Sequence, residues 1–339
     1  MEDIAAECRR RTELLRDELR DLDAPVSYDG TIKSLIALYR VDETSTLQGV
    51  KFATRIRDYE PSLRVLEFNV GDRLIPRLKG SDFVRWFAEW KKEGHRRATG
   101  AIKMLRQILT YGAGERLQGC AEARAILSGM RFEQPKPRTM AMSYDQCLAI
   151  VKAAAKLKCP SLGFVEALKF ETAIRRIDII GEWVPSEDGG PFRWQGLTVG
   201  AISKDKILSL TTGKTGAELS RDLTTLSLVQ EALKHYTIPE IGPVVIDENT
   251  GKGYRENHYA KKFQKVRKEA GLPKELWSMD ARAGAITETV KATGSLTKAQ
   301  TLATHSSVKM TRRYARGSGL EESREIAEAR AKIRPVKRG

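Results

Sequence analysis

The stretch His305-Ser306-Ser307-Val308-Lys309-Met310-Thr311-Arg312-Arg313-Tyr314 decides how the rest of this chain is read. It sets an imidazole nine residues ahead of a phenol, with Lys309, Arg312 and Arg313 between them. A phenol beside that much positive charge has two readings: a nucleophile aimed at a phosphate, or one aromatic on a solvated basic helix. The choice between them rests on what the rest of the sequence supplies.

Composition narrows the partner first. The chain carries 59 Lys+Arg against 44 Asp+Glu, a formal net charge of +15. That balance points to a polyanion, with nucleic acid ahead of an anionic membrane surface. A length of 339 residues suits two domains better than one core. Cys8, Cys120, Cys147 and Cys159 are scattered, without a Cys-x-x-Cys pair or matching His spacing. This argues against a zinc site or a disulfide framework and fits a reducing compartment. No apolar run is long enough to cross a bilayer, and the charged start Met1-Glu2-Asp3-Ile4 lacks the apolar region of a signal peptide. A soluble, intracellular protein without a metal centre is expected.

Periodicity then divides the chain. A thin apolar stripe (Ile4, Cys8, Leu15, Leu19, Leu22) predicts an N-terminal helix within 1–26. Residues 27–131 read as a helical bundle: Ile32, Leu35, Ile36 and Tyr39 share one face, 47–59 is a basic helix, and Ser81 is placed to cap a helix burying Phe83, Phe87 and Trp90. In 95–111 the apolar positions leave Arg96, Arg97, Lys103 and Arg106 to point outward as a DNA-binding face. Residues 132–142, with two prolines, form an extended linker whose Lys136 and Arg138 are suited to following a phosphate backbone. Ser143 and Gln146 have the form of a capping box, and a second domain over 143–316 starts there. It opens with helices, the second predicted over 162–183. Segments 196–202, 206–212 and 221–225 alternate as strands of a small three-stranded antiparallel sheet. Between the last two, Thr212-Gly213-Lys214-Thr215-Gly216 is a turn with Lys214 at its tip. Helices resume over 228–236, 254–270 and 280–292 and from 297 onward. A hinge at Gly317-Ser318-Gly319 leads to a terminal helix within 317–339, read as docking either in cis or on a neighbouring protomer.

Four more residues precede Tyr314 with chemistry that suits a phosphodiester: Arg175, Lys214, Arg282 and His305. A phosphodiester repels a nucleophile, and its pentacoordinate transition state carries more negative charge. Two guanidiniums can hold the non-bridging oxygens bidentately, with an imidazole to help. A desolvated lysine can protonate the leaving alkoxide. A free phenol, with a pKa of about 10, becomes a nucleophile once positive charge or a base favours its anion. With cationic side chains in these roles no metal or other cofactor is needed. Arg176 competes with Arg175 on register, and Tyr254 and Tyr259 are rival phenols that follow no His at this spacing.

This order of residues resembles the catalytic domain of the tyrosine recombinase (phage integrase) family. The likeness covers about 144–316, and the preceding bundle is similar to the family's core-binding domain. The resemblance places Arg175 and Asp178 in the Arg-x-x-acid segment, Lys214 on the β-hairpin, Arg282 as the second arginine, His305 as the histidine and Tyr314 as the nucleophile. It implies a mainly α fold with a small antiparallel sheet, and DNA strand breakage and rejoining through a 3′-phosphotyrosyl link. It further implies duplex DNA as partner, a homodimer to homotetramer on DNA, a role in integration or another movement of a mobile element, and a cytoplasmic, nucleoid-associated prokaryotic or phage setting. Three positions depart from the family's pattern. Met279 stands where a His or Lys is usual, leaving water, Asp280 or the field of the arginines to deprotonate Tyr314. Ala173 and Thr304 stand where glycines are common. A type IB topoisomerase, sharing the chemistry, and a catalytically impaired DNA-binding accessory protein are the alternatives.

Overall fold

A computed structural model describes residues 26–185 and 192–315, together with 327, 328 and 330. The expected N-terminal helix and most of the expected hinge and helix over 317–339 lie outside the described residues. The chain forms two compact units that divide between Pro137 and Arg138.

In the first unit, α1 (Ile32–Val41) starts where the Thr31 hydroxyl accepts the Ser34 N–H at 3.1 Å and buries Ile32, Leu35, Ile36 and Tyr39. The helix predicted over 47–59 is shifted. Turns lead to a helical entry Phe52–Thr54, a π turn Arg55–Tyr59 and then α2 (Glu60–Val70). Pro61 has no N–H to give the carbonyl four residues back, and the Glu60 N–H reaches Arg55 instead, widening the turn. The next helix, α3 (Gly80–Glu93), starts ahead of the predicted Ser81 cap. The Lys79 N–H donates to Asp82 Oδ2 at 3.0 Å, so Asp82 holds its N-terminus. α4 (His95–Gly114) and α5 (Cys120–Gly129) complete a core around Phe83, Trp90, Leu105 and Ile108. Phe132 stays with this unit, its ring 4.9 Å from that of Phe87.

In the second unit, α6 (Tyr144–Lys156) begins with the capping box. Ser143 Oγ accepts the Gln146 N–H at 3.2 Å, and Gln146 Oε1 accepts the Ser143 N–H at 3.0 Å. α7 (Pro160–Thr172) is buried almost all round, the pattern of a central helix. The single helix predicted over 162–183 breaks after Thr172. Ala173 turns left-handed (φ +53°), Arg175 is extended, and only a short α8 (Arg176–Ile180) follows.

The predicted three-stranded sheet is two separate hairpins among the described residues. β1 (Glu182–Val184) pairs with β2 (Arg193–Gln195), and β3 (Ile207–Thr211) with β4 (Glu218–Asp222). Segment 196–202 does not extend either one because its backbone is taken elsewhere. Val244 N–H donates to the Leu197 carbonyl and Val199 N–H to that of Gly242, both at 2.9 Å, leaving a single bridge from Ile202 to Leu208. α9 (Ser227–Leu233), α10 (Glu256–Glu269), α11 (Asp280–Thr293), α12 (Leu296–Ala303) and α13 (Val308–Arg312) follow. The fold class is the expected one, mainly helical with small antiparallel β elements. Among the described residues no helix is long and apolar enough to cross a membrane.

Candidate active site

The candidate residues come together where three helix ends meet. The left-handed turn at Ala173 ends α7 and exposes its carbonyl, and a second left-handed residue, Thr304 (φ +50°), ends α12 just before His305. Both are the positions where the resemblance expects glycine, and the backbone explains why: an L side chain in that region costs about 1–2 kcal/mol. Arg282, in the first turn of α11, stitches these two ends. Its Nη1 donates to the Ala173 carbonyl and its Nη2 to that of Ala303, the latter at 2.6 Å. Burial, then the neighbouring Arg175 charge, push Arg282 down to about 10, so it keeps its proton at neutral pH.

Arg175 reaches the same place from the start of α8. Its Nη1 lies 3.9 Å from Asp178 Oδ2, and neither buried atom has a hydrogen-bond partner among the described residues. Asp178 Oδ1 accepts the Gly213 N–H at 2.9 Å, which ties the β3–β4 turn, and exposed Lys214 next in sequence, to this segment.

His305 is 6% exposed. Burial, then Arg282 and Arg175, push it down to about 4, so its imidazole is neutral. Its Nδ1 lies 3.0 Å from the hydroxyl of Thr311, six residues on, in α13. The Tyr314 ring sits 5.2 Å from the His305 ring, tilted by 35°. It packs beside Ala173, Ala285, Ile286, Ala299 and Ala303, and its backbone carbonyl accepts from the Thr287 hydroxyl at 3.3 Å. Arg175, Arg282, His305 and Tyr314 therefore lie together, while the exposed Lys214 follows Gly213, whose N–H is bonded to Asp178. Lys309, Arg312 and Arg313 point outward.

The rivals occupy other places. Arg176 pairs with Glu256 and lies over the Tyr259 ring. Tyr254 and Tyr259 are fully buried, bonded to Ser161 and Glu166 respectively. Met279 is 55% exposed. Asp280, offered by the sequence as a base, has both oxygens occupied: Oδ1 by Arg138 Nε at 3.1 Å, and Oδ2 by Arg138 Nη2 at 2.5 Å and the Trp277 N–H at 2.8 Å.

Of the expected DNA contacts, Arg96, Lys103 and Lys136 are exposed, and Arg97 is exposed with a pair to Glu93 at 3.1 Å. Arg138 is held by Asp280 and by the Glu275 carbonyl at 2.7 Å. Arg106, read as outward, is instead partly buried and caps α5, donating to the Leu127 and Met130 carbonyls.

Two supporting features escape sequence reading. Thr311 looks like one more polar residue in a basic helix. Glu166 and Lys169 look like a surface pair at helical spacing, yet they are fully buried with Ser278 and Tyr259, joining α7 to the residues just before Arg282.

Solved structures share this fold. A lambda integrase dimer bound to a COC′ core site matches with a TM-score of 0.65 and 17% identity, over 84% of this chain and 77% of that one. A lambda integrase tetramer bound to a Holliday junction gives 0.65 and 16%, over 85% and 77%. Tn1549 transposon integrase in complex with transposon right end DNA gives 0.60 and 15%, over 89% and 99%. No protein-family model and no curated protein matches the sequence.

Proposed function

We propose that this chain, which has the fold of the tyrosine-recombinase integrases, is a site-specific recombinase that breaks and rejoins duplex DNA through a covalent phosphotyrosyl intermediate. The observation that carries the reading is the convergence of Arg175, Arg282, His305 and Tyr314 at one set of helix ends. The Gly213 N–H, next to Lys214 in the β3–β4 turn, is bonded to Asp178.

Tyr314 Oη attacks the scissile phosphorus, forming a 3′-phosphotyrosyl bond and releasing a 5′-oxygen that Lys214 protonates. Arg175 and the N–H groups of Arg282 not given to main-chain carbonyls hold the non-bridging oxygens as charge grows. The covalent link conserves the phosphodiester's free energy, so a 5′-hydroxyl from a second strand reverses the step without ATP or metal. Strand exchange needs a second active protomer, hence a dimer to tetramer on DNA. The excess of positive charge and the exposed Arg96, Arg97, Lys103 and Lys136 support duplex DNA as the partner.

Incubation with nicked suicide duplexes tests the reading. A denaturation-resistant adduct that Tyr314→Phe abolishes is the expected result, and an adduct that persists in Tyr314→Phe removes this nucleophile. Exchange products distinguish a recombinase from a topoisomerase, which would relax supercoils without them.

A further inference from the structure

We propose that His305 takes the phenolic proton of Tyr314 as its oxygen attacks phosphorus, and returns it on rejoining. This rests on the strand-exchange reading above and assigns the proton that Met279 and Asp280 leave unassigned. Met279 is a solvent-exposed thioether, which holds no proton near neutral pH. Asp280 has both carboxylate oxygens occupied by Arg138 and Trp277.

One of the two hydrogen-bond arrangements open to His305 and Thr311 leaves Nε2 of His305 bare. Thr311 Oγ1 is fully buried, with the Ser307 carbonyl 3.5 Å away to accept its proton and His305 Nδ1 3.0 Å away. A hydroxyl has one proton. With that proton turned to Ser307, the oxygen accepts from His305 Nδ1–H, and Nε2 carries the lone pair. The neighbouring Tyr314 ring, 5.2 Å between centroids, is the titratable group next to it.

The groups that face His305 also gate it. Burial, and then Arg282 and Arg175, favour the neutral imidazole, which keeps the lone pair available. A bound phosphate places negative charge against those two guanidiniums, and the transition state places more. Both raise the basicity of His305 at the moment the phenol must ionise. The step balances: Tyr314 O–H breaks as N–H forms on His305 Nε2, the Oη–P bond forms as P–O5′ breaks, and the departing oxygen takes a proton from Lys214. Once protonated, Nε2–H faces the phosphate as a donor. Rejoining runs each transfer backwards.

The test is adduct formation on a pool of nicked suicide duplexes of randomised sequence, using the full chain. His305→Gln retains a hydrogen-bond donor and cannot take a proton; its cleavage rate is expected to fall on the order of 100-fold. A ring-fluorinated tyrosine at position 314, whose phenol ionises more readily, is expected to restore at least about tenfold of that loss in His305→Gln while leaving the natural His305 background nearly unchanged. Thr311→Val, close in shape and without the hydroxyl, frees the tautomer and is expected to slow cleavage several-fold with the same rescue. It also keeps the question open to test if His305→Gln does not fold. Equal response to the fluorinated tyrosine in all backgrounds overturns the proposal, as does natural-rate cleavage by His305→Gln. Absence of any adduct with the unaltered chain overturns the strand-exchange reading and this inference with it.

Discussion

Asp178 Oδ1 accepts the backbone N–H of Gly213 at 2.9 Å, and through that bond a carboxylate beside Arg175 sets the position of the turn that presents Lys214. One carboxylate thus lies 3.9 Å from Arg175 and is bonded to the turn that carries Lys214. A bond from a backbone N–H to a charged acceptor contributes about 1.5–3 kcal/mol. Asp178→Ala is therefore expected to slow adduct formation by about 10–100-fold at saturating DNA. Asp178→Asn, which keeps an acceptor for Gly213, is expected to fall between. A rate for Asp178→Ala equal to that of the unaltered chain would show that the turn is placed by other means.

The two left-handed residues make a stability prediction with opposite emphases. Thr304 is β-branched and partly exposed at φ +50°, so Thr304→Gly relieves strain at little packing cost and is expected to stabilise by about 1 kcal/mol. Ala173, at φ +53°, buries its methyl completely. Ala173→Gly relieves similar strain and loses about 0.8 kcal/mol of burial, leaving it near neutral. Urea midpoints of the two variants read the difference directly.

Folding lowers the pKa of His305 from 6.5 to about 4. Between those values the unfolded chain binds a proton there that the folded chain does not, so stability is lost on acidification. The His305 contribution is fully present above pH 6.5 and declines as pH falls towards 4, by at most about 3 kcal/mol. His305→Gln removes this titration, and its urea midpoint is expected to fall less steeply over that window than that of the unaltered chain. Parallel slopes would contradict the assignment.

The Glu166–Lys169 pair is 0–2% exposed, with Ser278 and Tyr259 completing its hydrogen bonds. Burial lowers the Lys169 pKa, opposed by the Glu166 charge. Removing one partner strands the other: Lys169→Met or Glu166→Leu is expected to cost about 3–5 kcal/mol, and the double replacement much less than the sum. Chemical denaturation of the four proteins in a cycle measures it, and additivity would mean the two groups are held separately.

Helices with a complete apolar face were legible in the sequence, α1 from its periodicity and α6 with its capping box as well, because local periodicity and cap chemistry suffice to specify them. The strand assigned to 196–202 failed for a non-local reason: Gly242 and Val244 took its backbone groups. The helix assigned across 162–183 failed because a left-handed alanine leaves no mark in a hydrophobic pattern. Arg106 failed because the carbonyls it caps, at the end of α5, lie more than twenty residues further along.

At the site, the sequence by itself determined the inventory: five candidate side chains in order, in a basic chain, with His305 and Tyr314 nine apart. Spacing and chemical type are properties of the chain alone. Only the tertiary structure decided what each group can do. Arg282 is half committed to the carbonyls of Ala173 and Ala303, Asp280 is closed off by Arg138, and His305 is kept neutral by burial and by two arginines distant in sequence. Protonation states and free lone pairs depend on burial and on charges brought close by folding, and no local pattern of residues encodes those.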